Sequence, residues 1–452
     1  MKIPYLTAPV PSTEIPAGIP FIIGNELAER FSYYGMRAVL VVFMTQYLMD
    51  ADGRFAPMTS TEAQAYFHLF VSITYFTPLL GALLADGLWG KYRTIMSLSI
   101  VYCLGLFCLA LDNTRTGLLV GQALIALGAG GIKPCVSAHV GDQFGSGNRH
   151  LLGKVFSWFY LTINLGAFIA MLLVPWLLKT QGAPVAFLVP GLLMLSATLL
   201  FWSGRYRFVH IPPTGMNFVR EALSGEGLRI LGRLSGIYLF IAMFWALFDQ
   251  NSSSWVLQAQ HMDRRIFGIE ILPSQIQAAN PLLIVLLIPL FHRYIYPELG
   301  KHTSLGYLNK ITIGLFITFL SFVLIAFIQL RIDAGFPPNI AWQLLAYLLL
   351  TSAEVMVSIT CLEFSYTQAP KSMKSLVMSL YMAAVALGNL FTSAVNFFIG
   401  NPDGSSDLAG AGYFWFFAAL MLATAVGFVW YSRHYQEQTY LQEEVKPGGN
   451  DF

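Results

Sequence analysis

The chain has 452 residues, of which 56% are hydrophobic and only 11% charged, with a mean hydropathy of +0.61. Soluble domains carry about 25% charged residues, so an ordinary soluble enzyme is excluded. A net charge of +2 is too small to call for a nucleic-acid partner. The apolar stretches recur along the whole length and are continuous rather than alternating. That pattern predicts an all-α integral membrane protein and not a β-barrel. No cleavable signal peptide is expected, because the Pro-rich start leads straight into the first apolar stretch. Cys103, Cys108, Cys135 and Cys361 lie within apolar segments, with neither metal-ligand spacing nor a disulfide pattern.

Twelve transmembrane helices are predicted, at 19–47, 63–85, 94–112, 117–140, 151–178, 184–203, 230–258, 274–298, 304–330, 340–366, 372–400 and 410–432. The longest interruption, 204–229, reads as a cytoplasmic linker between two six-helix bundles, 1–203 and 230–435, with 436–452 as a tail. Two equal helical halves are a common secondary-transporter layout, the substrate site lying between them near mid-membrane. With the N-terminus inside, roughly 17 of the 26 Lys and Arg residues fall in cytoplasmic segments and about six in outer loops. Both termini are therefore expected in the cytoplasm, and Arg30, Arg37 and Lys133 stay in the membrane.

The first span carries Glu26-Leu-Ala-Glu29-Arg30-Phe31-Ser-Tyr33-Tyr34-Gly35, with Arg37 two residues on. At 100° per residue, Glu26, Glu29, Arg30, Tyr33, Tyr34 and Arg37 share a sector of roughly 140°. Charges on that stripe are too costly to face lipid, so it should line a cavity or pair with other helices. A purely structural salt-bridge cluster is the bland alternative, but four charges and two phenols exceed what helix docking needs. Between spans two and three, Gly81, Asp86 and a tight turn at Gly90-Lys91-Tyr-Arg93 suit close helix packing and pairing with a neighbour. That stretch resembles the loop motif of the major facilitator superfamily.

Span four holds Gly128-Ala-Gly-Gly-Ile-Lys133-Pro134, where Pro and Gly should weaken the helix and Lys133 should seek a carboxylate. Asn164 in span five could hydrogen-bond a peptide-like group or merely a neighbouring helix. Trp245, Asp249 and Ser252 share one face of span seven, whereas Trp255 suits an interfacial belt. Asn280-Pro281 breaks the start of span eight. In span ten Glu354, Ser358, Cys361 and Ser365 form a polar stripe, and Glu363 lies about 180° from Glu354. Glu363 should meet an adjacent helix instead. No nucleophile–base pair, metal cluster or phosphate loop is found, so no enzyme and no cofactor are expected. His68, His139 and His210 read as isolated and structural.

These residues resemble one known family, the proton-dependent oligopeptide transporters of the major facilitator superfamily. The first-span stretch fits that family's E-x-x-E-R-F-x-Y-Y-G motif at every fixed position. Gly130–Pro134, Phe159–Asn164, Phe244–Gln250 and Glu363–Pro370 look like further landmarks in the same order. The resemblance implies inward symport of di- and tripeptides with protons, driven by the proton gradient, by a monomer in the lipid bilayer of a cell membrane, such as a bacterial inner membrane. By position, Arg37 and Lys133, with Arg30 near them, would receive the peptide carboxylate and Glu354 its amino terminus. Asn164 and Asn280 would hold its backbone. Tyr33, Tyr34, Tyr75, Tyr160 and Trp245 would form side-chain pockets, with Ser358 on the Glu354 stripe. Glu26 and Glu29, beside Arg30, would couple protons. Two departures matter: the linker is too short for the two extra helices of many bacterial members, and Tyr381 stands where a pocket Trp is frequent.

The residue chemistry agrees with that implication. A short peptide is a zwitterion, and a cavity cationic on one half and anionic on the other suits both ends. Pairs across the halves would gate it, Lys133 with Glu354 on the cytoplasmic side and Arg37 with Asp249 on the other. The alternative is proton-coupled transport of another solute, such as a drug, nitrate or an amino acid, on the same fold.

Overall fold

A computed structural model describes residues 5–213, 215, 224–301, 303, 305–367, 374–401 and 403–435. The expected tail 436–452 and part of the expected linker lie outside the described residues. Eleven helices are long and apolar enough to cross a membrane. They are α2 (Ser60–Trp89), α3 (Lys91–Leu111), α4 (Arg115–Asp142), α5 (Arg149–Gln181), α6 (Ala183–Ser203), α7 (Gly227–Ala259), α8 (Pro273–Leu299), α9 (Tyr307–Asp333), α10 (Ala341–Ser365), α11 (Leu380–Ile399) and α12 (Ala411–His434). A twelfth, α1 (Ile19–Gln46), has 28 residues and carries the four expected charges. At 1.5 Å per residue it is about 42 Å long, enough to span a hydrocarbon core of about 30 Å.

Two hydrophobic cores form, one within α1–α6 around Phe43, Phe67, Phe187 and Phe201, the other within α7–α12 around Trp255, Phe322, Tyr347 and Phe364. The α2–α3 turn, the α4–α5 turn and residues 204–213 lie on one side, here the linker side. The α1–α2 connection and the small hairpin β1 (Arg265–Ile266) and β2 (Ile269–Glu270) lie on the far side. The four cysteines are unpaired.

Three helix irregularities fall beside the polar residues of the cavity, while two further π turns, Leu83–Trp89 in α2 and Phe291–Ile295 in α8, lie towards the linker side. α7 tightens to a 3₁₀ turn at Asp249–Ser252. α8 opens with a 3₁₀ segment, Pro273–Ala278, before Asn280. α10 widens to a π turn at Val355–Ile359, directly after Glu354. Such breaks release backbone groups from the regular ladder and are tolerated at membrane depth only inside protein or beside a cavity.

Two sequence expectations are revised. α4 runs unbroken from Arg115 to Asp142 through Pro134; its glycines serve close packing, not bending. Trp255 is fully buried against Phe322 and Tyr347, so it belongs to the core and not to an interfacial belt. The expected close approach around Gly81 is present, because a Cβ there would fall 2.1 Å from the Gly131 carbonyl oxygen of α4. Contacts this short between backbones need small residues on both helices. Gly81→Val should therefore lower the yield of folded protein and its midpoint of thermal unfolding. Gly153→Ala, with nothing within 4 Å of the added carbon, should leave both unchanged in size-exclusion and thermal-shift measurements.

Candidate functional site

The charged stripe of α1 is buried, and its members separate into two groups along the helix. Towards the linker side, Arg30 Nε lies 2.7 Å from Glu26 Oε1 and 2.8 Å from Glu29 Oε2. The first contact is a hydrogen bond, while Glu29 lies off the N–H axis, and neither of its oxygens has a hydrogen-bond partner. Gly166 lets α5 approach this turn, since a Cβ there would sit 2.8 Å from the Leu27 carbonyl oxygen.

Lys133 does not meet a carboxylate. Its Nζ lies 4.3 Å from the centre of the Tyr33 ring and 4.1 Å from that of Tyr75, a cation–π arrangement. The expected Lys133–Glu354 pair is not formed in this conformation. Glu354 instead accepts from Asn280 Nδ2 at 2.8 Å, and the same amide donates to Thr351 Oγ1 at 3.1 Å. One amide thus ties α8 to α10 and satisfies a carboxylate that has no cation.

Towards the far side the expected pair is made: Arg37 of α1 donates to Asp249 of α7. Asn389 Nδ2 of α11 donates to the other Asp249 oxygen at 2.7 Å. The Asn389 carbonyl oxygen lies 2.8 Å from His68 Nδ1, and His68 Nε2 lies 2.8 Å from Ser253 Oγ. With Nδ1–H donating to the amide and Nε2 accepting from the hydroxyl, a neutral imidazole satisfies both of its own ring nitrogens. His68 is therefore not isolated; it links the two halves. Local sequence carries no sign of this, because its partners lie 185 and 321 residues away.

Three further bonds cross between the halves: Gln277 Nε2 to the Ala38 carbonyl (3.0 Å), Gln275 Nε2 to the Leu172 carbonyl (2.8 Å) and Ser393 Oγ to the Ala65 carbonyl (2.8 Å). Every cross-half hydrogen bond among the described residues lies nearer the far end of its helix. The halves are latched there, and the linker side lacks comparable bonds among those residues.

Just beneath the latch is a cavity of about 90 Å³ between the halves, lined by Tyr34, Arg37, Tyr75, Met171, Trp245, Phe248, Asp249, Asn251, Ser252, Gln277, Asn280 and Glu354. Seven expected site residues thus converge: Tyr34, Arg37, Tyr75, Trp245, Asp249, Asn280 and Glu354. Asn251 and Gln277 were not anticipated. Ser358 stands behind Trp245, its Oγ 3.1 Å from the Tyr381 hydroxyl, and Tyr381 packs edge-on to Trp245. Tyr33 is buried outside the lining with its hydroxyl unpartnered. Tyr160 is 41% exposed, and Asn164 turns its amide back to the Tyr160 carbonyl at 3.0 Å; neither is among the residues lining this cavity. Glu363 meets α9, as expected, accepting from the Tyr307 hydroxyl at 3.2 Å.

Removing one member of a buried pair leaves an uncompensated charge costing on the order of 3–5 kcal/mol. Asp249→Asn should therefore destabilise the protein markedly, and adding Arg37→Gln should recover part of the loss. A double-mutant cycle read by thermal unfolding in detergent checks this; strictly additive losses would show that the pair carries no coupling.

A profile of the POT family matches residues 92–225 and 216–416. The human "Solute carrier family 15 member 1" is 35% identical over 383 residues, covering 71% of this chain and 53% of its own. The fruit-fly (Drosophila melanogaster) "Peptide transporter family 1" is 36% identical over 370 residues, 72% of this chain and 49% of its own. The chain spans about half the length of these relatives. A crystal structure of the POT family transporter PepTSo superposes with a TM-score of 0.85 at 36% identity, covering 94% of this chain and 99% of that one. A second, of an auto-inhibited POT family peptide transporter, gives 0.84 at 36% identity, covering 95% and 99%. This multi-pass, twelve-helix chain therefore belongs to the POT family, a family of transporters and not of enzymes.

Proposed function

We propose that the protein carries di- and tripeptides together with protons by alternating access, without a cofactor, and that this conformation is open towards the linker side. The observation that carries the reading is the convergence of Arg37 and Glu354 on one cavity between the halves. A zwitterionic peptide offers a carboxylate for Arg37 and Lys133 and an ammonium for Glu354. Each end would exchange water for a fixed opposite charge. Tyr34, Tyr75 and Trp245 would meet its side chains, and Asn280 its backbone. The names of the similar proteins, peptide transporters among them, support the same substrate class.

The linker side corresponds to the cytoplasm in this reading, with both termini there, as the Lys and Arg distribution favours. The protein would work as a monomer in a cell membrane, in a bacterium the inner one. Opening the far side must break Arg37–Asp249 and its His68–Asn389 support. That step is too costly unless a peptide carboxylate takes Arg37 or a proton neutralises Asp249. On the linker side, closure would bring Lys133 from its two aromatic rings to Glu354, displacing Asn280. Glu29, close to Arg30 yet without a hydrogen bond, is poised to exchange its proton when Arg30 shifts towards substrate.

Uptake of labelled dialanine into proteoliposomes under an imposed inward proton gradient tests this directly. Accumulation should exceed the equilibrium level and collapse when the gradient is dissipated. Unlabelled dipeptides should compete, while nitrate and free amino acids should not; the reverse would favour another solute. Glu29→Gln should abolish gradient-driven accumulation yet retain counterflow exchange, and loss of neither would remove Glu29 from the coupling step.

A further inference from the structure

A second cavity, of about 370 Å³, lies on the linker side of the first bundle, away from the charged chamber. Its walls come from the α2–α3 turn, the chain before α1 and residues 210–213. The N-terminus of α3, a helix of 21 residues, opens into it. Gly90 takes φ +79 there and supplies no side-chain cap, and the first intrahelical bond is from Thr94 N to Gly90 O. The N–H groups of Lys91, Tyr92 and Arg93 therefore have no partner within the helix and leave partial positive charge at its end.

An independent observation comes from α4. His139, one of the residues that line this cavity, is 1% exposed, and its Nε2 has no hydrogen-bond partner among the described residues. A buried polar atom left unpaired is costly, so it calls for a ligand atom. Opposite, His210 stacks on Tyr5 with ring centres 4.2 Å apart and is held by the Arg205 carbonyl at 2.7 Å. Lys91 already pairs with Asp142 at 2.7 Å, which leaves Arg93 as the freer cation. No carboxylate is among the described lining residues. A helix N-terminus, an orphaned imidazole and a guanidinium around one space suit a phosphate.

The cavity also continues. A groove of about 410 Å³ shares Trp89, Tyr92 and Arg93 with it and runs along α3 past Met96 and Ser97 to Trp202. Its walls are mostly apolar, and it follows a membrane-spanning helix away from the polar end. We infer that cavity and groove together hold an anionic phospholipid, its phosphate on the α3 N-terminus, Arg93 and His139 Nε2, and one acyl chain along Met96. A free phosphate ester shares the headgroup chemistry but would leave the groove unfilled. Without a lining carboxylate to balance an ammonium, an anionic headgroup fits better than a zwitterionic one.

The test uses the full chain, purified in detergent and depleted of lipid, with native mass spectrometry reading bound lipid. Wild type should retain one dioleoylphosphatidylglycerol with at least tenfold preference over dioleoylphosphatidylcholine, and millimolar inorganic phosphate should compete it off. Arg93→Gln and His139→Gln should lose that preference; Arg93 is exposed, so its variant serves even if the His139 one folds poorly. Phosphate binding that Arg93→Gln abolishes, without preference between the two lipids, would overturn the lipid assignment in favour of a soluble phosphate. Equal lipid retention by wild type and Arg93→Gln would overturn the site altogether.

Discussion

The structure depends on one rule: a charge inside the membrane needs a partner, and the partner need not belong to the same half. Arg37 and Asp249 obey it across the interface between the bundles, and Asn389, His68 and Ser253 complete the hydrogen bonding. Both Asp249 oxygens and both ring nitrogens of His68 have partners, whereas Arg37 Nε has none among the described residues. In the proposed cycle the latch is conditional: another carboxylate offered to Arg37, or a proton on Asp249, would remove the reason for the halves to stay together. A hydrophobic latch of equal strength would offer a solute no such handle.

The other charged groups are held in looser ways, which suits groups that change partners. Glu354 has an amide in place of a cation, and Lys133 has two aromatic faces in place of a carboxylate. Each is stabilised, yet neither has its strongest partner. The helix irregularities serve the same end. The 3₁₀ turn at Asp249 and the π turn after Glu354 interrupt α7 and α10 beside the chamber, where such irregularities are frequent at functional sites. Close glycine contacts between α2 and α4 show the opposite design, two helices packed backbone to backbone.

Much of the fold was legible in the sequence because membrane spans announce themselves by length and apolarity. α1 was legible for the contrary reason, its charges recurring at helical spacing on one face. That periodicity also put Tyr34 and Arg37 on one stripe of α1, and Trp245 and Asp249 on one face of α7; that they meet Glu354 in one chamber was what the family resemblance implied. What the sequence concealed were partners distant in the chain. The bonds of His68 run to α7 and α11, and His139 and His210 come together only because the linker folds back over α4. Lys133 was misjudged for a different reason. The alternative of ring faces for a carboxylate depends on where Tyr33 and Tyr75 point, which spacing does not determine. Pro134 likewise suggested a locally weakened helix, but with Gly128, Gly130 and Gly131 packed closely against neighbours α4 is continuous.

The central claim is that opposite charges in the chamber meet the two ends of a short zwitterion. Blocking one end of the solute while altering the matching residue tests it most directly. Competition of dialanine and N-acetyl-dialanine against labelled dialanine should be compared in wild type and Glu354→Gln proteoliposomes. If Glu354 receives the ammonium, the variant should bind dialanine at least tenfold more weakly while its weak affinity for the acetylated peptide stays unchanged. An equal loss for both peptides, or no loss for either, would contradict the account.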